Sequence, residues 1–344
     1  MVLRLRRIGY AVAALFIASL FLGTHLDWAA ESGPKLLFLG TNPAGSAYYA
    51  VGSALARVLS EHSGLQVRVQ PYSGSTTYIP LLDNGTLALG LNNTSDALHA
   101  YRGMKPFRAA PNLRLVSIVF PLKVVMFVPK NSKIQSLSDL KGKRLPGRYT
   151  AQLAVYYNVG SILASAGLSW KDVNVLPVAN VNQGVQALIE GRVDASLHAV
   201  GSAKIEEANA SISGGIRFLS VDHSPAGAKR MAAVMPGTYP LLVKAGSTTG
   251  ALTDTWVEAY DVYLTTGKGL SDETGYRMAK TLWENAEAVR KAQRLLRDFA
   301  QDKMVKEAAT IPYDPGAIRF YKEKSLWSPE MEKRQLELEK EAAH

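Results

Sequence analysis

The sequence predicts an α/β fold. Short β-prone apolar runs alternate with segments whose apolar residues recur at helical spacing, and small polar loops join them. The chain has 344 residues, enough for two ordinary domains. Its composition, 47% apolar and 20% charged, is that of a chain able to bury a core.

The elements follow in order. Residues 36–40, Leu-Leu-Phe-Leu-Gly, read as a buried strand. Residues 41–49 form a small-residue polar loop, and a helix with Val51, Leu55, Val58 and Leu59 on one face runs to residue 59. Gln66–Pro71 reads as a strand, residues 73–77 as a second polar loop, and a two-turn helix ends at Leu82. A strand at 87–91 leads into Asn92, Asn93, Thr94, Ser95 and Asp96, which open another helix. Residues 122–128 are strongly β-prone. Then come a short helix at 136–141, a strand ending near 145 and a loop at 146–150. A helix at 151–166, a strand at 173–178, a helix at 181–190 and a strand reaching His198 follow. Helices are expected at 272–283, 287–300 and 317–324, and a frayed terminal helix at 331–343. The sheets are expected to be mostly parallel. Residues 81–89 echo residues 187–195, each a helix end, a glycine and a strand start. Two similar α/β lobes joined by crossing strands would produce such an echo, and so would common turn chemistry.

Residues 1–30 read as an export signal. Arg4, Arg6 and Arg7 precede an apolar run over 8–22 that is short of the roughly 20 residues a spanning helix prefers. Cleavage is favoured over retention as an inner-membrane anchor, and either places the remainder outside the cytoplasm, in a periplasm. The chain has no cysteine, which removes disulfides, thiolate chemistry and a lipoprotein anchor. Net charge is +10; removing residues 1–30 takes away three arginines and one aspartate and leaves +8. That charge suits an anionic ligand or membrane surface. No basic cluster interleaved with aromatics points to nucleic acid.

Candidate site residues lie where strands end and helices begin, because orphan N–H groups and the helix dipole favour anions there. From the first loop these are Asn42, Ser46, Ala47 and Tyr48, with Tyr49 expected in the core. From the next two they are Gly74, Ser75 and Thr76, then Asn93, Thr94 and Ser95. Further along are Arg148, Tyr149 and Thr150, with Arg148 the cation placed for a bidentate carboxylate grip. His198 at a strand end and Tyr239 between two prolines complete the set. A ligand-gripping loop just after an export signal implies a solute-binding protein. The sequence lacks Gly-x-Ser-x-Gly, His-Glu-x-x-His, a P-loop and a dinucleotide fingerprint, and its six histidines have no metal-ligand spacing. An enzyme is therefore the lesser alternative, and no cofactor or metal is expected. A tethered ligand sensor without a transport role is another alternative.

The order of motifs over residues 35–327 resembles the TAXI group of TRAP-transporter substrate-binding proteins. The resemblance rests on residues 39–49 with Val51-Gly52, on Gly74-Ser75 ahead of Leu81-Leu82, and on Asn93-Thr94-Ser95. It continues through Leu137-Ser138-Asp139-Leu140-Lys141-Gly142, residues 185–195 and the closing Ile311-Pro312-Tyr313-Asp314-Pro315-Gly316-Ala317. The sequence departs from the group at Asn42, Pro43 and Ala44 in a loop usually richer in glycine, and at Tyr78, Ala88 and Asn93. The resemblance implies a type II periplasmic-binding fold, two α/β lobes closing over a cleft. It implies lobe 1 as residues 31–122 plus 264–344, lobe 2 as 123–263, and crossing segments near 122–128 and 257–264. It implies a monomeric receptor for a small organic anion, such as a dicarboxylate or acidic amino acid, delivered to a TRAP-type permease.

Overall fold

Strand β1 (Leu36–Thr41) buries Leu37 and Leu39 and lies between β2 (Gln66–Pro71) and β3 (Leu89–Asn93), parallel to both. This computed structural model describes residues 36–341 except 106, so the expected export signal and the last residues of the terminal helix lie outside the described residues. Each of these strands feeds a helix from the same sheet edge: α1 (Ala47–His62), α2 (Ser75–Asp83) and α3 (Thr94–Tyr101). Parallel strands need such crossovers, so the three loops gather at one edge as the sequence predicts.

The next strands change the pattern. Strand β4 (Arg114–Pro129) is 16 residues long and pairs antiparallel with β10 (Thr255–Thr266), which also runs antiparallel to β3. The sheet is therefore mixed, not mostly parallel, because two long strands run in opposite directions through its centre. Both segments predicted to cross between lobes lie within this pair. The distal half of β4 carries β7 (Ser196–Ala199) and β8 (Ile216–Phe218), and the near end of β10 carries β9 (Tyr239–Val243).

A separate two-stranded parallel sheet, β5 (Arg144–Arg148) and β6 (Asn174–Val178), feeds α4 (Leu153–Ser165) and α5 (Val181–Ile189). Strand β5 extends to Arg148, into the stretch expected as a loop. Helices α6 (Ala203–Ser211) and α7 (Pro225–Val234) flank this half. The glycines of the internal echo, Gly85 and Gly191, both have positive φ just past a helix end.

Helix α8 (Asp272–Glu284) matches expectation, but the next helix stops early. It is α9 (Ala286–Ala292), and an extended Gln293 followed by a 3-10 turn at Arg294–Leu296 replaces its last two turns. After α10 (Pro315–Glu323), helix α11 (Pro329–Glu341) is docked rather than frayed. Gln335 and Leu338 are buried, Tyr101 donates to the Leu338 carbonyl at 2.7 Å, and Tyr313 N–H donates to Gln335 Oε1 at 2.8 Å. No helix among the described residues is long and apolar enough to cross a membrane.

Candidate functional site between the two lobes

The amino ends of five helices meet at one cavity. Ser46, Ala47 and Tyr48 come from α1, Ser75 from α2 and Asn93 from α3; Gln152, Ala154 and Val155 come from α4 and Val181 from α5. Leu122 and Val124 of β4, His198 of β7 and Tyr260 of β10 close it. Its free volume is about 50 Å³, room for a few non-hydrogen atoms. Each helix start leaves N–H groups without intrahelical partners, and together they make a positive field without a formal charge. None of the lining residues is lysine or arginine.

Capping holds the lining in place. Ser46 Oγ accepts from Tyr49 N–H at 3.1 Å, and Asn93 Oδ1 accepts from Asp96 N–H at 2.7 Å. Asn180 Oδ1 caps α5 by accepting from Gln183 N–H at 3.1 Å. Gln152 reaches across to α5, its Oε1 accepting from Val181 N–H at 2.7 Å. That bond sets the orientation of the amide. Gln152 Nε2 then has no hydrogen-bond partner among the described residues, although the residue is 1% exposed.

Two carboxyl groups lie behind the lining, both with no solvent exposure. Asp96 Oδ2 accepts from Ser75 Oγ at 2.5 Å, and burial pushes its pKa up to about 6. Glu258 Oε1 accepts from Asn158 Nδ2, and burial pushes its pKa up to about 8, partly offset by Ser161 and Asn158. The second oxygen of each has no partner among the described residues. Tyr48 and Tyr260 lie between these acids in mutual contact, their hydroxyl pKa values pushed upward by burial.

Hydrogen bonds tie the two lobes across the cleft. Leu153 N–H donates to Thr76 Oγ1 at 3.2 Å, and Asn182 Nδ2 donates to the Ala44 carbonyl at 3.0 Å. Since Nδ2 faces Ala44, Asn182 Oδ1 accepts from His198 Nε2 at 3.0 Å, and His198 Nδ1 accepts from Ser202 Oγ at 2.6 Å. This is a neutral imidazole, and burial lowers its pKa to about 4. Gly74 packs directly on Ala151 and Gln152.

The predicted site residues separate clearly. The structure brings Asn42, Ser46, Ala47, Tyr48, Ser75, Asn93 and His198 into the lining. Gly74 and Thr76 stand at the contact between lobes. Thr94 and Ser95 are buried outside the lining, and Tyr149 is fully buried with its hydroxyl unpartnered among the described residues. Arg148 and Thr150 are exposed and outside the lining, and Arg148 and Tyr149 both have left-handed backbone, φ 64° and 46°. Tyr239 lies beside the long strands with Pro121 and Asp261, away from the cavity. Tyr49 is half-buried on an outer groove, not in the core. Gln152, Asn158, Tyr260, Asp96 and Glu258 were not among the candidates. The one sequence signal for Glu258 is an acid, one of two with Asp261, in a β-prone run of otherwise uncharged residues.

The model of the NMT1-like family matches residues 39–325. The chain belongs to the NMT1-like family. That span takes in every lining residue of the cavity. This NMT1-like chain is also similar in fold to a structure described as a periplasmic transporter, with TM-score 0.54 and 14% identity over 89% of this chain and 96% of that one. It is similar to PhnD1 from Prochlorococcus marinus (MIT 9301) in complex with methylphosphonate, with TM-score 0.52 and 12% identity over 85% of this chain and 99% of that one. The fold is the type II periplasmic-binding fold, two α/β lobes with a cleft between them.

Proposed function

We propose that this NMT1-like chain is an extracytoplasmic solute-binding receptor for a small organic carboxylate. One observation carries the reading: five helix amino ends, from both lobes, converge on a single cavity whose lining mixes apolar side chains with neutral polar groups and includes no lysine or arginine. Such a site holds an anion by oriented N–H groups, and closure around it excludes water and strengthens each bond. The grip comes from N–H groups and amides; Arg148 stands outside it.

The lobes are taken as residues 31–122 plus 264–344 and residues 123–263, hinged on β4 and β10. The ordered motifs of the TAXI group support delivery by a monomeric receptor to a TRAP-type, ion-driven permease. The basic and apolar residues 4–22 support export. Nothing in the lining offers an activated nucleophile or a metal-ligand set, which favours a receptor over an enzyme.

A thermal-shift screen of chain refolded from denaturant tests the reading. The panel holds organic acids, neutral amino acids and sugars. A ligand at 100 times its Kd adds about 2.7 kcal/mol, a readily measured rise in Tm. A rise with carboxylates is expected. A rise with sugars alone, or with no compound, would contradict the reading.

A further inference from the structure

We propose that the cavity takes an acid with one carboxylate and no second anionic group, and that the Gln152 amide fixes that carboxylate. The inference rests on the receptor reading above and narrows its ligand. Gln152 lines the cavity and is buried, and its oxygen is committed to Val181 N–H at 2.7 Å. Its nitrogen is therefore a donor of set direction without a partner among the described residues. A carboxylate oxygen is the acceptor that fits beside helix amino ends.

The rest of the site opposes a second charge. No lysine or arginine lines the cavity, so a second anionic group meets no counter-charge. It would instead approach Asp96, fully buried and with one unpartnered oxygen among the described residues. The ionisable groups facing Asp96 are Tyr48 of α1, Tyr78 of α2, Tyr157 of α4 and Tyr260 of β10, none of them cationic.

Isothermal titration of the full refolded chain tests this at pH 7.5 and matched ionic strength. The probes are acetate, propionate, lactate and pyruvate against malonate, succinate, malate and glutamate. Saturable binding of a monocarboxylate at least tenfold tighter than any diacid is expected. Gln152→Glu and Gln152→Met, the second lacking a donor but adding no charge, should each weaken it more than tenfold. Arg68→Gln, an exposed cation of β2, should leave it unchanged. A diacid that binds tightest, or Gln152→Met binding as wild type, overturns the inference alone. Failure of every carboxylate overturns the receptor reading with it.

Discussion

Replacing Gly74 with alanine would put a methyl group 1.7 Å from the Ala151 carbonyl oxygen and 2.4 Å from Gln152 Cγ. The Gly74 backbone is extended, φ 172°, so alanine is not strained there by its own conformation. The clash lies between lobes. Restoring an ordinary contact of about 3.5 Å moves the two segments apart by about 1.8 Å. A rigid opening of that size breaks the Leu153–Thr76 and Asn182–Ala44 hydrogen bonds, now 3.2 and 3.0 Å. At about 1 kcal/mol each the loss is about 2 kcal/mol, roughly a thirtyfold shift from closed to open. The chain has no cysteine, so spin labels on Glu61→Cys and Lys171→Cys, exposed positions in the two proposed lobes, report the inter-lobe distance by pulsed electron resonance. Gly74→Ala should lengthen that distance and weaken ligand about thirtyfold, with Tm of the unliganded protein near wild type. Unchanged distances together with affinity within twofold of wild type would refute the closed-cleft geometry.

Asn182→Ala removes the bonds to Ala44 and His198; ligand affinity by titration should fall about fivefold, about 1 kcal/mol, mainly through faster release. Arg148→Ala should leave affinity within twofold, since the side chain is exposed and outside the lining; a tenfold loss would restore it to the grip. Glu258 titrates near pH 8 when folded against an ordinary 4.5. The folded state thus holds the proton more tightly, and stability falls as pH rises from about 4.5 to about 8. Glu258→Gln keeps an acceptor for Asn158 and removes the titration, so its advantage over wild type in chemical denaturation should grow across that window to several kcal/mol. A wild-type stability flat over the same range would contradict the burial argument.

The β1–α1 junction was legible because one local pattern encodes it: an apolar run, a small polar loop and a Ser N-cap. The three-loop edge followed, since parallel strands with crossover helices leave their loops on one side. Gln152 was not legible. Its role depends on Val181, 29 residues away, and the helix expected from 151 hid it inside the first turn. The amino-terminal half of β4 lacked a strand boundary, because its burial comes from pairing with β10, far along the chain. Helix α11 looked solvated, because Tyr101, Arg102 and Tyr313, remote in sequence, are what dock it. Arg148 looked like a grip because charge type is visible in sequence, whereas direction is not. Two successive left-handed residues there bury Tyr149 and leave Arg148 facing solvent.

The most direct test is a crystal structure of the chain with the monocarboxylate that binds tightest in titration. The carboxylate should lie between the lobes, within hydrogen-bond distance of the Ala47 and Tyr48 N–H groups and of Gln152 Nε2. Density outside the cavity, or a carboxylate paired with Arg148, would contradict a receptor that grips its ligand by helix amino ends and an amide.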